Sequence, residues 1–248
     1  MSAESILITQ ITSPDYSIFA SWGPRVETPE AIAAHFLACV DRLKQIHPAY
    51  DNWIFRLNNR PRKFDALRGN LPAAVASRVA RADDGEPTPI YGYRPSTFNS
   101  MKSNPGSLHL RIKAGSALSN FAEIGTGYQV VPDPGIISFP VFKAALLALS
   151  ESFDVTYCSA YPAQILNLSD TTRHLRLAWM SYVSPRFAPL ITPPPSAIVE
   201  RPRGALLMAA TEETFSIDNP AHLAAARDIL AALAPFEALP WPPDAAPE

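Results

Sequence analysis

From Tyr16 to Trp22 the chain alternates: Tyr16, Ile18, Ala20 and Trp22 share one face, the period of a half-buried strand. Within a few residues the period changes. Thr28 is placed to accept a backbone N–H as N-cap, Pro29 loses no hydrogen bond at the first helical position, and Glu30 complements the helix dipole. Over residues 29–46 Ile32, Phe36, Val40, Leu43 and Ile46 step by three or four, which predicts a helix. His47-Pro48 ends it, because a residue before proline avoids helical dihedrals. A second helix is expected from Ser138, with Phe142, Leu146, Leu149 and Phe153 inward. A third follows Asn219-Pro220, with Leu223, Ala226, Leu230 and Leu233 inward and Ile229 and Phe236 flanking. A shorter basic helix is expected over 71–81.

Strands are expected at 107–113, where Leu108, Leu110 and Ile112 alternate, and at 128–131, 155–161, 175–183 and 204–211. Those flanking the first and second helices make two β-α-β-like halves. The expected fold class is therefore α+β: a mixed or antiparallel sheet backed by helices in one compact domain. That domain is expected over residues 13–241, after an extension (1–12) and before a proline-rich tail (242–248). The 26 prolines cluster at 87–95, 185–202 and 240–247, and the first two clusters read as long surface loops. No residue-level repeat accompanies the two halves.

Composition narrows the function. At 47% hydrophobic and 18% charged residues, the 248-residue chain is globular rather than disordered. A net charge of −2 gives no general attraction to nucleic acid or anionic membrane. The charge is uneven, however. Between Arg56 and Arg81, seven basic residues face only Asp65, whereas 114–172 and 204–248 are acidic. Cys39 and Cys158 sit in apolar segments with no metal-binding spacing and read as small buried side chains in a reducing cytoplasm. The first twelve residues lack the basic start of a secretion signal, and no apolar run approaches the roughly 20 residues that span a bilayer.

Catalytic patterns are missing. His35, His47, His109, His174 and His222 form no local metal motif, and those on helices or helix ends suit structural roles. Gly115-Ser116-Ala117-Leu118-Ser119 lacks the closing glycine of a nucleophile elbow. Gly125-Thr126-Gly127-Tyr128 lacks a phosphate loop's lysine and reads as a turn before a strand. No cofactor or metal is expected. Arg60-Pro61-Arg62-Lys63-Phe64-Asp65-Ala66-Leu67-Arg68 lacks interleaved aromatics and reads as a solvated helix face with Phe64 and Leu67 inward. Trp22, Trp53 and Trp179 are expected in the core, with Trp241 covering its edge. The carboxylate groups Asp83, Asp84 and Glu86, and Glu212, Glu213 and Asp218, keep their loops solvated or receive a cationic protein surface.

Four segments carry a family resemblance. They are Trp22-Gly23-Pro24-Arg25 with Glu27-Thr28-Pro29-Glu30, Pro48-Ala49-Tyr50-Asp51-Asn52-Trp53, Trp179-Met180-Ser181-Tyr182 before a proline-rich loop, and Asp218-Asn219-Pro220-Ala221-His222. Their order and spacing over about residues 16–241 resemble the immunity protein 52 family of bacterial polymorphic-toxin and type VI secretion systems. Phe98-Asn99 after Gly92-Tyr93 departs from the family's tryptophan-asparagine pair. The resemblance implies a cytoplasmic, non-enzymatic protein that binds and neutralises a cognate toxin, often a restriction-endonuclease-like nuclease, with no nucleic-acid or membrane partner. It implies no catalytic residues, and oligomeric state stays open. The six loop carboxylates are then the expected toxin contacts. Two other readings compete with it. One is a hydrolase assembled from residues distant in sequence such as His109, His174 and a carboxylate, the histidines sharing a pocket with Ser116 or an acid; the other is a nucleic-acid adaptor using residues 56–81.

Overall fold

The computed structural model describes residues 11–57, 60–168 and 175–240. Its frame is one antiparallel sheet. In chain order the elements are β1 (Tyr16–Trp22), α1 (Pro29–Leu43), β2 (Ile54–Leu57), β3 (Arg60–Lys63), α2 (Leu71–Ala76), β4 (Tyr91–Tyr93), β5 (Ser96–Phe98), β6 (Leu108–Ser116) and β7 (Asn120–Thr126). There follow α3 (Phe139–Phe153), β8 (Tyr157–Pro162), β9 (Met180–Val183), β10 (Ile198–Glu200), β11 (Leu206–Ala209), α4 (Pro220–Ala232) and α5 (Ala234–Glu237). The strands lie in the order β10-β11-β9-β8-β1-β7-β6-β5-β2-β3, and β4 pairs with the far end of β6.

β1 holds the centre. It pairs antiparallel with β7 on one side and β8 on the other, so those two strands run parallel with β1 between them. The β7-α3-β8 crossover is thus a β-α-β unit split by a third strand. The β1-α1-β2 unit also joins parallel strands, here separated by β7, β6 and β5. The two halves are present, but neither closes a paired parallel ladder.

The sheet has one fully covered face. Ile18, Ala20, Leu110, Ile112, Ala122, Ile124 and Ala160 lie beneath Phe36, Val40 and Leu43 of α1 and Phe142, Leu146 and Leu149 of α3, all in one buried cluster. Trp22 stacks on Phe153 with ring centroids 5.4 Å apart. Trp179, fully buried, stacks on Phe142 at 5.8 Å and donates its Nε1–H to the Thr211 carbonyl at 2.9 Å. Trp53 is buried as well. On the opposite face, Tyr157, Val183, Leu206 and Met208 lie against Ile229 of α4, Phe236 of α5 and Leu233 at the junction between them.

The helices begin where their caps predict. Thr28 Oγ1 accepts from Ala31 N at 3.3 Å and Asn219 Oδ1 from Ala221 N at 3.0 Å. Ser138 holds the N-cap position of α3, but its hydroxyl donates to the Gly135 carbonyl instead. α1 ends at Leu43 rather than Ile46, because residues 44–46 turn so that extended His47 can cap the 3-10 turn Pro48–Tyr50. The inward stripe of α4 is rotated from that expected: His222, Ala225, Ala226 and Ile229 are buried, and Leu223 and Leu230 only flank them.

Other expectations change. The helix expected over 71–81 stops at Ala76, because Val79 and Arg81 bridge Tyr93 and Pro87. The strand expected at 128–131 is an exposed turn, with Tyr128 70% and Val131 71% accessible, and the true strand is β7 immediately before it. Gly125 and Thr126 therefore end a strand rather than form a turn. The basic run at 60–68 is an edge strand and a 3-10 segment, yet Phe64 and Leu67 point inward as expected. Pro61 and three cations on that edge discourage pairing with another chain. The proline-rich stretch 185–202 is no simple surface loop: it contains β10 and buries Phe187, Ala188 and Ile191. Asn99, in the segment that departs from the family pattern, donates to the Ala49 and Gly106 carbonyls and accepts from Leu108 N. Trp241, the tail and residues 1–10 of the expected extension lie outside the described residues.

Trp179→Ala should cost about 3–5 kcal/mol, because it opens a large cavity and strips the Thr211 carbonyl of its donor. Chemical denaturation checks this, with Trp179→Phe expected to lose less.

Candidate functional site

The six loop carboxylates are all exposed but do not form one cluster. Asp83, Asp84 and Glu86 occupy a tight turn held by Gly85 N to the Ala82 carbonyl and Arg81 to the Gly85 carbonyl. Gly85 has φ +87°, a conformation that L side chains rarely adopt. Glu212, Glu213 and Asp218 lie between β11 and α4. The first group is carried by the segment leading into β4 on β6, and four strands separate β6 from β11, a span of about 24 Å at ~4.8 Å per strand. Within the second group, Glu213 Oε2 approaches His222 Nε2 at 3.3 Å, and His222 Nδ1 accepts from Ser216 N.

The Trp22–Glu30 segment is a clasp. Arg25 lies over Trp22 at 5.2 Å and donates to the Phe153 carbonyl at the end of α3 at 2.7 Å. Its Nε meets Glu27 at 3.2 Å, and the other Glu27 oxygen lies 3.1 Å from His35 Nε2. His35 Nδ1 donates to the Ser152 carbonyl at 2.8 Å. Asn120 joins the β6–β7 hairpin to this junction, donating to Gly23 O at 2.6 Å and accepting from Ser116 N at 2.8 Å. The Glu27 hydrogen bond raises the imidazole pKa of His35 above its usual value, against partial burial. Burial opposes ionisation of Glu27, but His35 and Arg25 outweigh it and lower its pKa. These groups fix a strand-to-helix junction and offer no reaction centre.

The less expected feature is an open half of the sheet. α4 and α5 cover the β8–β9–β11 side of the second face, while its β6–β7–β1 side carries Arg111, Lys113, Phe121, Glu123, Ser17 and Phe19, all half-buried or exposed. Phe19 and Phe121 stack at 5.5 Å. Arg111 and Glu123, directly opposed in register, meet at 2.6 Å. Burial works against the Glu123 charge, but His109 and Arg111 outweigh it and hold its carboxyl below the usual range. The His109 ring lies across Gly125, so a methyl group there would have to push the ring aside. Beside these residues a cavity of about 660 Å³ is lined by Asp15, Ser17, Phe19, Tyr161 and Arg176 among others. Alternation identified which β1 and β6 residues face this way. Nothing in it signalled that no helix among the described residues would lie above them.

Of the alternative chemistries, part of the geometry is present: His109 Nε2 lies 3.9 Å from Glu123 Oε1, beside a cavity that Asp15 and Ser17 also line. His109 and Ser116 sit seven residues apart on one extended strand, about 23 Å, so they cannot share a proton. His174 lies outside the described residues. Among the described residues no three metal-ligating side chains converge, and no helix is long and apolar enough to cross a membrane. Cys39 and Cys158 are buried free thiols, each pushed by burial up to about 12. In the basic stretch, Arg68 pairs with Asp41 and Asp65, and Arg78 lies over Phe55. Those cations serve the fold.

An antiparallel sheet with helices over one face and half of the other, and a polar-aromatic remainder, defines an α+β protein whose surface outweighs its pockets. The chain belongs to the Immunity protein 52 family, whose model matches residues 15–238. It is similar in fold to the Pseudomonas aeruginosa T6SS protein PA0821, with a TM-score of 0.52 and 10% identity over 88% of this chain and 73% of that one. No curated protein matches the chain.

The clasp predicts a pH signature. A free imidazole titrates near about pH 6.5, so the stability that His35 adds is complete below that value and is lost as pH rises through its raised folded pKa. The Glu27 contribution is present above the usual carboxylate range, about 4.3, and is lost as pH falls through its lowered one. His35→Ala should therefore destabilise most in mildly acidic solution, by about 1 kcal/mol after allowance for partial exposure. Urea denaturation at pH 5.5 and pH 9 should show that gap shrinking at the higher pH.

Proposed function

We propose that this chain is a cytoplasmic immunity protein that binds one cognate antibacterial toxin directly and keeps it inactive without turnover. We infer further that the toxin is a restriction-endonuclease-like nuclease delivered by a polymorphic-toxin or type VI secretion system. The family match over residues 15–238 carries the reading. The likeness in fold to PA0821, a T6SS protein, agrees with it.

The physical logic favours contact by complementary charge. A nuclease holds phosphate in a basic cleft, and carboxylates on an inhibitor raise both association rate and selectivity toward such a surface. Asp83, Asp84 and Glu86 stand on a turn that Gly85 and Arg81 keep in one shape, so they meet a partner with little ordering cost. Glu212, Glu213 and Asp218 form a second acidic edge. In this reading both groups touch the toxin or steer its approach.

Co-expression with the toxin encoded next to it should restore growth, and the two proteins should co-elute on gel filtration. Absence of both would reject the reading. Changing either carboxylate group to lysine should weaken the complex about tenfold or more, whereas Arg62→Glu with Lys63→Glu should change it less. A larger effect from the basic pair would reverse the assigned polarity.

A further inference from the structure

The sheet's second face is treated unequally along its width. Where it carries Tyr157, Val183, Leu206 and Met208, helices cover it. Where it carries Phe19, Phe121, Arg111 and Lys113, no described α-helix does, and segments such as 11–13 and 128–129 only wall one side of it. A bare antiparallel face normally meets water with polar and charged side chains. This one has a stacked pair of phenylalanines at its middle. Two rings half-buried against each other retain apolar edges that a partner would remove from water.

Cations outnumber carboxylates around those rings among the described residues. Arg111 is matched by Glu123, but no described carboxylate pairs with Lys113. The exposed Arg94 lies on the adjoining segment between β4 and β5, and burial together with that like charge lowers the pKa of the lysine ammonium. The ammonium donates a long hydrogen bond to Ser119 Oγ, at 3.4 Å. Two cations held side by side without an anion among the described residues repel each other, and a carboxylate laid between them relieves the repulsion. The chain's net charge of −2 makes this a local preference for anions rather than a general one.

We propose that the β6–β7–β1 face is a docking surface for an acidic segment of the toxin, with Arg94 and Lys113 taking carboxylates and the Phe19–Phe121 pair taking an apolar side chain. The proposal rests on the immunity reading and adds a second contact to it. A nuclease's substrate cleft is basic, so an acidic segment lies outside that cleft, and this face and the acidic loops grip different parts of the toxin. Nucleic acid suits the face less well. Each phenylalanine spends one ring face on the other, leaving less for base stacking.

The test uses the full chain and a catalytically inactive form of the adjacent toxin, with affinity read by calorimetry and protection by growth. Arg94→Glu with Lys113→Glu should weaken binding at least tenfold and reduce protection, and the Gln pair should weaken it about threefold to fivefold. Arg201→Glu with Arg227→Glu, two exposed arginines on the other half of the fold, should stay within twofold. Circular dichroism verifies folding, and the Gln pair carries the test if the reversal does not fold. Wild-type binding with both Arg94/Lys113 pairs within twofold of it would overturn the proposal and leave the immunity reading standing. Failure of the wild type to bind or protect would remove the reading and the proposal with it. Micromolar binding of a single-stranded oligonucleotide that the Gln pair abolishes, with toxin affinity unchanged, would replace the acidic segment with nucleic acid.

Discussion

The whole arrangement depends on where β1 stops and how its exit is held. A strand paired on both sides has its register set by two ladders. The chain leaving it must then cross from the sheet to a helix without pulling that register out. Trp22 on Phe153, Arg25 on the Phe153 carbonyl, and Glu27 between Arg25 and His35 anchor that exit to the end of α3. Asn120 ties the same exit to the β6–β7 hairpin. One junction thus joins both β-α-β units. This explains why an unusual run of residues carries no chemistry: its groups are occupied by one another.

With the interior fixed in this way, function is left to the surface. Helices α1 and α3 claim one face of the sheet for the core, and α4 with α5 claims part of the other. What remains is a rigid antiparallel platform, flanked far apart by two acidic loops. Side chains standing on paired strands lose little freedom when a partner meets them, which suits the contact function proposed above.

The sequence was legible wherever a local signal coincided with burial. The Thr28-Pro29 and Asn219-Pro220 starts, the stripes of α1 and α3, the alternation of β1 and β6, and the inward tryptophans all follow from spacing and capping. β7 was not legible. Asn120, Glu123, Gly125 and Thr126 give it little apolar character, and it is a strand because β1 and β6 present ladders on both sides. The aliphatic-aromatic run just after it looked more strand-like, yet Tyr128 and Val131 have no neighbour to pair with and stay in water. Short β2, β4, β5 and β10 likewise owe their form to partners distant in the chain.

The chain alone therefore determined the starts of α1 and α4, the stripe of α3, strands β1 and β6 and the lack of a local catalytic motif, because each is written in residues near one another, and its family, because four such local segments keep their order and spacing. Tertiary structure decided which carboxylates keep company, which cations are spent inside the fold, and which half of the sheet is left bare. The period-2 pattern assigns a side chain to a face of the sheet. Whether a helix covers that face depends on elements a hundred residues away, and no local pattern contains that information.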